Sequence, residues 1–152
     1  MSSIIQSNDQ QHATRLRDER ETVEKFYSAF SEQNLNLVDA VLAPDWSDIP
    51  LAPGQVAGPE GIKTIISNMA TALPDLKVTI HEMVQEPGKI GVRAEMSGTH
   101  RGVLFGIPAT GKQVSIRLYD FHTIKNGRLT TTWHMEDWLG LFLQLGQFPA
   151  QV

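Results

Sequence analysis

The side chains best suited to acid/base chemistry lie within residues 98–137. Asp120 and His122 fall on the apolar face of a predicted strand, His134 lies in the strand that follows, and His100 precedes a glycine-rich loop. A buried polar side chain costs free energy unless it is paired. These four residues therefore indicate either a hydrogen-bonded network in the core or a functional site.

Asp120 and His134 are predicted to be neighbours across a hairpin. Asn126-Gly127 is a strong signal for a two-residue turn, so the strands on either side should pair antiparallel. A carboxylate beside an imidazole is an acid/base device, because the pKa of such a histidine lies near neutrality. We expect His134 to be the base and Asp120 to hold its tautomer. Structural alternatives stay open: Asp120 could cap a loop amide or pair with an arginine, and a lone histidine is often structural.

Several further side chains could bind a substrate near this pair. His100 could lie at the rim of a pocket, or it could hydrogen-bond the backbone of its loop. His122 shares a strand face with Asp120, but it could instead be an edge histidine. Trp46 and Asp48 could line the pocket mouth from a proline-rich segment, although Trp46 could also be ordinary core.

The strands also supply two apolar candidates for the pocket wall. Met96 lies in the strand that ends at His100, and Leu118 lies on the strand face of Asp120. Alternate residues of a strand point to the same side of a sheet. We therefore expect Met96 and Leu118 to contact the substrate.

Metal and nucleotide sites are rival interpretations. Three histidines and an aspartate could bind a metal ion, but no two histidines have a convincing HxH or HxxxH spacing, although ligands from separate strands could converge. Residues 106–113, GIPATGKQ, nearly match a phosphate-binding loop. A phosphate cradle needs a final Ser or Thr and a following helix, whereas this segment has Gln113 and a strand. We expect no metal, no nucleotide and no other cofactor.

Composition narrows the choice of partner. The chain has 13 basic and 17 acidic side chains and a net charge of -4 without a basic patch, so nucleic acid is not an expected partner. It has no cysteine, which excludes disulfides and suits a reducing compartment. The polar N-terminal segment has no signal-peptide pattern, and no apolar run is long enough to span a membrane. These features predict a cytoplasmic protein that binds a small molecule.

The apolar spacing predicts helices first and strands afterwards. We expect a disordered lead-in over residues 1–14 and a single domain over residues 15–152. The proline-rich segment 43–55 is expected to be irregular. Helices are predicted over residues 16–32, 37–42, 59–73 and 138–145, and strands over residues 77–86, 90–100, 113–125 and 129–136. This order predicts an α+β fold in which helices pack on one face of a curved antiparallel sheet and leave a cavity.

The opposite face of the sheet is predicted to be apolar as well. Tyr119, Phe121, Trp133 and Met135 alternate with the inward-facing residues of the last two strands. Such a face is too apolar to remain in water, so either the terminal helix or another subunit should cover it. We expect a homodimer that forms through the sheet.

Several motifs together resemble one known family. They are GTHRGVLFGIPATGK, NGRLTTTWHMEDWLGLFLQLG, LPDLKVTIHEMV and the helix start GPEG at residues 58–61. On these motifs, residues 21–146 resemble the SnoaL-like polyketide cyclases of the NTF2-like superfamily. The resemblance implies a cone-shaped α+β barrel around a largely apolar pocket, and catalysis without a metal or cofactor.

The resemblance also implies a reaction and roles for individual residues. The named cyclases close the last ring of an aromatic polyketide by intramolecular aldol condensation, with an aspartate as general acid/base. That aspartate aligns with His134, a family histidine aligns with Asp120, and an asparagine near the pocket mouth aligns with Asp48. The acid/base pair is thus present with its two positions exchanged. We expect a cyclase-type lyase or isomerase; the alternative is a non-catalytic small-molecule-binding module of the same superfamily.

Overall fold

The computed structural model describes residues 2–150. Within them the chain forms four helices and five strands, in the order α1 (Ser2–Ser31), α2 (Leu35–Val41), β1 (Leu42–Ile49), α3 (Pro59–Ala72), β2 (Lys77–Glu86), β3 (Lys89–Thr99), β4 (Gln113–Lys125), β5 (Arg128–Glu136) and α4 (Trp138–Leu145). The predicted order of helices, strand meander and terminal helix is confirmed, and with it the α+β class. Strand β1 is an addition to the predicted set.

Helix α1 is longer than its apolar pattern indicates. Its second half packs against the core through Val23, Phe26 and Tyr27, whereas the side chains of residues 4–15 are exposed. The sequence predicts a disordered lead-in over residues 1–14, but the structure continues the helix back to Ser2. A helix can continue past the turns that pack against the core when the added residues, such as Gln and Ala, have adequate helix propensity.

The next two helices begin at residues with clear physical roles. Helix α2 begins after Asn34, whose side chain accepts a 3.1 Å hydrogen bond from the backbone N–H of Asn36. Helix α3 begins at Pro59 as predicted, directly after Gly58. Gly58 has a φ of 80°, which glycine adopts without steric cost, and proline suits the first helical position.

The five strands form one mixed sheet in the order β1-β5-β4-β3-β2. The pairs β2–β3, β3–β4 and β4–β5 are antiparallel as predicted, but β1 pairs parallel with β5. The predicted irregular segment 43–55 and the predicted all-antiparallel sheet are therefore both corrected. Pro44 hides the strand in the sequence, yet an edge strand tolerates proline because only one of its sides needs hydrogen bonds. The sheet keeps two edges, β1 and β2, and does not close into a barrel.

Two irregularities in strand pairing shift the alternation of side chains. In β2 the register slips after Ile80, so Met83 packs against the core and Val84 is exposed, the reverse of a strict two-residue period from Val78. A second slip after Thr123 of β4 brings Leu129 of β5 into the core, where a strict two-residue period places it outside. An extra residue in one strand inverts the side chains that follow it.

One hydrophobic core joins the helices to the inner face of the sheet. It includes Phe26 of α1, Ile66 of α3 and Ile116 of β4. Along β4 buried and exposed residues alternate through the whole strand, and this alternation carries Asp120 and His122 to the inner face. None of the helices within residues 2–150 is long and apolar enough to cross a membrane.

Candidate active site

A largely apolar cavity of about 690 Å³ lies between the helices and the inner face of the sheet. Met96 and Leu118, which the sequence predicts as pocket residues, are part of its wall. Residues 103–105 of the glycine-rich loop also line it, and the Phe105 ring packs edge-on against Trp138 with centroids 4.8 Å apart. The cavity therefore has walls from the sheet, the glycine-rich loop and the start of α4.

The ionisable side chains that the sheet presents to the cavity are Asp48 of β1, Asp120 of β4, and His134 and Glu136 of β5. The pairing of the strands explains why they are close together: Asp120 lies opposite His134, and Asp48 lies beside Thr132. Among the described residues that line the cavity, none is a lysine or an arginine. His134 is thus the one basic side chain in an otherwise acidic polar region.

Both ring nitrogens of His134 contact hydrogen-bond acceptors. Nδ1 lies 2.9 Å from Oε1 of Glu136, and Nε2 lies 2.7 Å from the carbonyl oxygen of Pro50. A carbonyl oxygen can only accept, so Nε2 donates to Pro50, and an imidazolium, which donates at both nitrogens, fits both contacts. Burial lowers the pKa of His134, but the hydrogen bond to Glu136 and the charges of Glu136 and Asp48 raise it to about 9.

Asp120 has one hydrogen-bonded and one free carboxyl oxygen. Oδ2 accepts a 2.6 Å hydrogen bond from the hydroxyl of Tyr27, whereas Oδ1 is buried and has no hydrogen-bond partner among the described residues. Burial and the negative charge of Glu136 raise the pKa of Asp120 to about 7, against the opposing effects of the Tyr27 hydrogen bond, the positive charge of His134 and the backbone N–H of Met135. Asp120 can therefore exchange a proton near neutral pH.

Asp120 and His134 lie opposite each other as predicted, but their side chains bond to other residues. In the part of the chain that the structure describes, Asp120 bonds to Tyr27 and His134 bonds to Glu136 and Pro50. An imidazolium has no lone pair with which to accept a proton, so His134 cannot be the base in this arrangement. The arrangement favours Asp120, whose Oδ1 has no hydrogen-bond partner among the described residues, over His134 as the proton acceptor.

Asp48 contributes a second carboxyl group beside His134. Its Oδ1 lies 3.4 Å from Nε2 of His134, and its Oδ2 accepts a 2.7 Å hydrogen bond from Nε2 of Gln55. Burial raises the pKa of Asp48, while the Gln55 hydrogen bond and the charge of His134 lower it. Within residues 2–150, no group of three or more His, Asp or Glu side chains is arranged to hold a metal ion.

Three predicted substrate-binding residues lie outside the cavity wall. Trp46, His100 and His122 are each at most 2% exposed, and none of them lines the cavity. Nδ1 of His100 lies 2.9 Å from Oγ1 of Thr110, so this histidine holds the glycine-rich loop instead of a substrate. Trp46 and His122 belong to a buried hydrogen-bonded chain that ends at Asp120.

Two side chains of the site are absent from the predicted set, Tyr27 and Glu136. Glu136 follows His134 by two positions in the same strand, so the two-residue period could have identified it. Tyr27 comes from α1, 93 positions before Asp120, and the apolar spacing of that helix marks it as core only. Only the packing of α1 against the sheet brings its hydroxyl to the carboxylate.

An α+β chain whose curved sheet and helices enclose a largely apolar cavity, with acid/base side chains on the sheet, has the architecture of the NTF2-like folds. A model of the family described as SnoaL-like polyketide cyclase matches residues 21–145. The chain belongs to this family.

Solved structures agree with this membership. TsrD from Streptomyces laurentii is 31% identical with a TM-score of 0.80, over 87% of this chain and 97% of TsrD. A polyketide cyclase candidate from Bacillus cereus ATCC 10987 is 25% identical with a TM-score of 0.75, over 85% and 80% of the two chains. IdmH from Streptomyces antibioticus is 24% identical with a TM-score of 0.76, over 84% and 98%, and shows the fold alone. A comparison with curated proteins gave no match.

Proposed function

We propose that this protein is a cofactor-independent enzyme of the polyketide cyclase type, which removes a proton from a carbon activated by a neighbouring carbonyl group. One observation carries the proposal: Asp120 lies at the cavity with a pKa near neutrality and one carboxyl oxygen that has no partner among the described residues. A base is most effective when its pKa lies near the working pH. Membership of the SnoaL-like family supports the same class of reaction.

The cavity favours an uncharged, largely apolar carbonyl compound as substrate. Its wall is mainly apolar, and its polar region combines three carboxyl groups with one imidazolium. A carboxylate or phosphate substrate would meet acidic side chains without a lysine or arginine among the described lining residues to neutralise it. A neutral polyketide-like compound with several ketone or ester carbonyls fits these properties.

The reaction balances without an external reagent. Asp120 as the carboxylate takes the proton from the α-carbon, and the electron pair of the C–H bond moves to form an enolate. The enolate carbon then attacks a second carbonyl carbon of the same molecule, which forms the new C–C bond and an alkoxide. The protonated Asp120 returns the proton to the alkoxide, so that the carboxylate is restored.

His134 supports this chemistry as a positive charge. Its imidazolium lies on the strand next to Asp120, directly opposite in the register. A fixed positive charge in a buried site lowers the energy of the enolate as its negative charge develops. We propose that the amide of Asn68 donates to a substrate carbonyl oxygen and that the carboxylate of Asp48 accepts from a substrate hydroxyl, since both residues lie at the cavity wall.

Activity should follow a bell-shaped pH profile. The reaction needs Asp120 without its proton, so activity should increase as the pH rises, with a midpoint near pH 7. It also needs His134 with its proton, so activity falls with a midpoint near 9. A profile that falls through neutral pH would contradict the assignment of Asp120 as the base.

The test is an Asp120→Asn substitution, with Asp45→Asn on the exposed part of β1 as the matched control. We expect Asp120→Asn to lower kcat about 10²- to 10⁴-fold on a substrate that the wild type turns over, because the amide cannot act as a base. Removing His134 with His134→Ala should also lower kcat. Unchanged turnover by folded Asp120→Asn protein would end the proposal.

Stability measurements show whether a loss of activity reflects misfolding. The folded-state pKa of Asp120 is raised by burial, so ionising it destabilises the folded protein increasingly as the pH rises from its unfolded-state pKa toward about 7. Asp120→Asn should therefore gain stability relative to the wild type over that interval. Chemical denaturation measures this gain at two pH values, one inside the interval and one below it.

A non-catalytic binding module is the second candidate. It is favoured by the state of His134, whose two nitrogens are both engaged in internal hydrogen bonds. A panel of aromatic polyketide and hydroxy-ketone compounds separates the two functions. Tight binding without product across the acid-to-alkaline range would support the binding module, and product formation would exclude it.

We also propose a homodimer that forms through the outer face of the sheet. Tyr119, Phe121, Trp133 and Met135 remain 45–67% exposed, although α4 packs beside β4. A contiguous apolar face of this kind commonly marks a protein interface. Light scattering at micromolar concentration should give twice the chain mass; the mass of one chain would refute the dimer.

The cytoplasm is the proposed site of action. The sequence contains no cysteine, so the fold needs no disulfide and no oxidising compartment. Cell fractionation checks this, and recovery in the secreted fraction would contradict it.

A further inference from the structure

Five buried side chains form a continuous hydrogen-bonded chain, and three of them, Tyr27, Asp120 and Thr132, line the cavity. Trp46 Nε1 lies 3.0 Å from Thr132 Oγ1, which lies 2.9 Å from Nδ1 of His122. Nε2 of His122 lies 2.8 Å from the hydroxyl oxygen of Tyr27, which lies 2.6 Å from Oδ2 of Asp120. Each of the five is at most 4% exposed. The chain thus crosses β1, β5, β4 and α1 before it reaches the carboxylate.

The chemistry of the side chains fixes the direction of every bond. An indole N–H can only donate, so Thr132 accepts from Trp46. The hydroxyl hydrogen of Thr132 then has one acceptor among the described contacts, Nδ1 of His122. A neutral imidazole that accepts at Nδ1 carries its proton on Nε2, which donates to Tyr27. The hydroxyl hydrogen of Tyr27 is left to donate to Asp120.

His122 is suited to this role because it stays neutral. Burial lowers the pKa of His122 to about 3, with the positive charge of His134 acting in the same direction. The ring of Phe26 packs on it edge-on with centroids 5.6 Å apart, and the same ring lies 6.2 Å from Trp46. His122 therefore keeps one proton across the range in which Asp120 titrates.

We propose that Trp46, Thr132 and His122 are positioning residues that make Tyr27 a one-way donor to Oδ2 of Asp120, so that Oδ1 is the oxygen that takes the substrate proton. This rests on the proposed role of Asp120 as the base. The reverse direction would leave the Asp120 carboxylate without its donor and the Thr132 hydroxyl without an acceptor. Buried groups left without partners cost about 1–3 kcal/mol each, more when charged.

The hydrogen-bonded chain also lowers the pKa of Asp120. A donor that bonds to the charged form of an acid lowers its pKa, which here opposes the effect of burial. Hydrogen bonds in a chain polarise one another, so donation from Thr132 to His122 strengthens donation from Tyr27 to Asp120. The ionisable groups around Asp120 are Tyr27 on α1, His122 on the same strand, and His134 and Glu136 on β5.

The first experiment needs no variant and no substrate. Nitrogen NMR of histidine-labelled protein reads which ring nitrogen of His122 carries the proton. We expect the Nε2–H tautomer at a pH above the Asp120 midpoint. The Nδ1–H tautomer would overturn the proposal, because His122 would then accept the Tyr27 proton that the proposal gives to Asp120.

The second experiment compares Thr132→Val with Thr132→Ser, while carbon NMR follows the titration of the Asp120 carboxyl group. Val removes the hydroxyl at nearly constant shape, and Ser retains it. We expect Thr132→Val to raise the Asp120 midpoint and to populate the Nδ1–H tautomer of His122, and Thr132→Ser to behave as the wild type. Equal Asp120 midpoints in the two variants would show that Trp46, Thr132 and His122 do not influence the Tyr27 hydrogen bond to Asp120, and would overturn the proposal.

Tyr27→Phe gives the upper limit of the effect and a safeguard if Thr132→Val does not fold. Loss of a hydrogen bond to a charged group is worth about 1.5–3 kcal/mol, which raises the Asp120 midpoint by about one to two pH units. No rise in Tyr27→Phe would overturn the proposal. These NMR measurements do not depend on turnover, so a failed cyclase assay would not affect them. If the NMR results contradicted the proposal, Asp120 could still be the base, but the hydrogen-bonded chain would have no positioning role.

Discussion

Two histidines flank Asp120 on the inner face of the sheet, and their surroundings give them opposite protonation states. His122 follows Asp120 by two positions in β4, and His134 lies directly opposite Asp120 in β5. The pKa of His122 falls to about 3 through burial, and that of His134 rises to about 9 despite burial. One histidine is therefore neutral and the other charged at the pH where Asp120 titrates.

The partners of the two rings explain the difference. His122 contacts two hydroxyl groups, those of Thr132 and Tyr27, which can serve a neutral ring as one donor and one acceptor. His134 contacts a carboxylate and a carbonyl oxygen, both acceptors, and is closer to solvent. A charged ring suits two acceptors, and a neutral ring suits a donor and an acceptor. Burial keeps His122 neutral, whereas the acceptors around the less buried His134 outweigh burial and keep that ring charged.

The largest effect on stability should follow from replacing the neutral histidine, His122. His122→Leu leaves the hydroxyls of Tyr27 and Thr132 without their shared partner, so we expect a loss of about 2–5 kcal/mol in the free energy of unfolding. This loss should be nearly constant at alkaline pH, above the Asp120 midpoint, because neither His122 nor Asp120 titrates there. Denaturant unfolding at several pH values measures it. A loss below the error of the method would show that the buried chain contributes nothing to stability.

His134→Gln is the contrasting substitution for the same measurement. The folded-state pKa of His134 is raised above its unfolded value, so its contribution to stability is fully present below that unfolded value and is lost as the pH rises through about 9. The cost of His134→Gln should therefore shrink as the pH rises. An equal pH dependence in the two variants would contradict the assigned charge states.

The sequence predicts the strand faces well but not the protonation states. The two-residue period places Asp120 and His122 on the inner face of β4, and Asn126-Gly127 sets the hairpin that brings His134 opposite Asp120. Those are local patterns. The charge of a histidine depends on its partners, and these come from distant parts of the chain.

The distant partners explain why the contacts of His134 and His122 differ from those expected from the sequence. The Pro50 carbonyl that bonds to His134 lies 84 positions earlier, and the Tyr27 hydroxyl lies 95 positions before His122. Strand β1, which brings Trp46 to Thr132, pairs parallel with β5 and contains a proline, so neither a hairpin signal nor a strand pattern reveals it. Helix packing and parallel strand pairing are long-range events that a local period does not encode.

Glu136→Gln tests the charged histidine and should have the next largest effect. The amide keeps the shape of the side chain but removes the charge beside Nδ1 of His134. An opposite charge at this distance typically raises the pKa of a histidine by about one to three units, so we expect its midpoint to fall from about 9 by at least one pH unit. Nitrogen NMR measures the His134 midpoint, and the alkaline limb of any activity profile should move with it. A fixed midpoint would assign the raised pKa to another group.

Asp48→Asn should lower the His134 midpoint in the same direction but by less. Oδ1 of Asp48 lies 3.4 Å from Nε2 of His134, farther than the 2.9 Å between Glu136 and Nδ1, and Nε2 donates to the Pro50 carbonyl. The loss of the Asp48 charge therefore removes the weaker of the two attractions, and the Pro50 bond keeps the ring in place. Asp45→Asn, an exposed carboxylate of the same strand, is the matched control and should leave the midpoint unchanged. If Asp48→Asn moved the midpoint more than Glu136→Gln, the charge of His134 would depend on β1 instead of on its own strand.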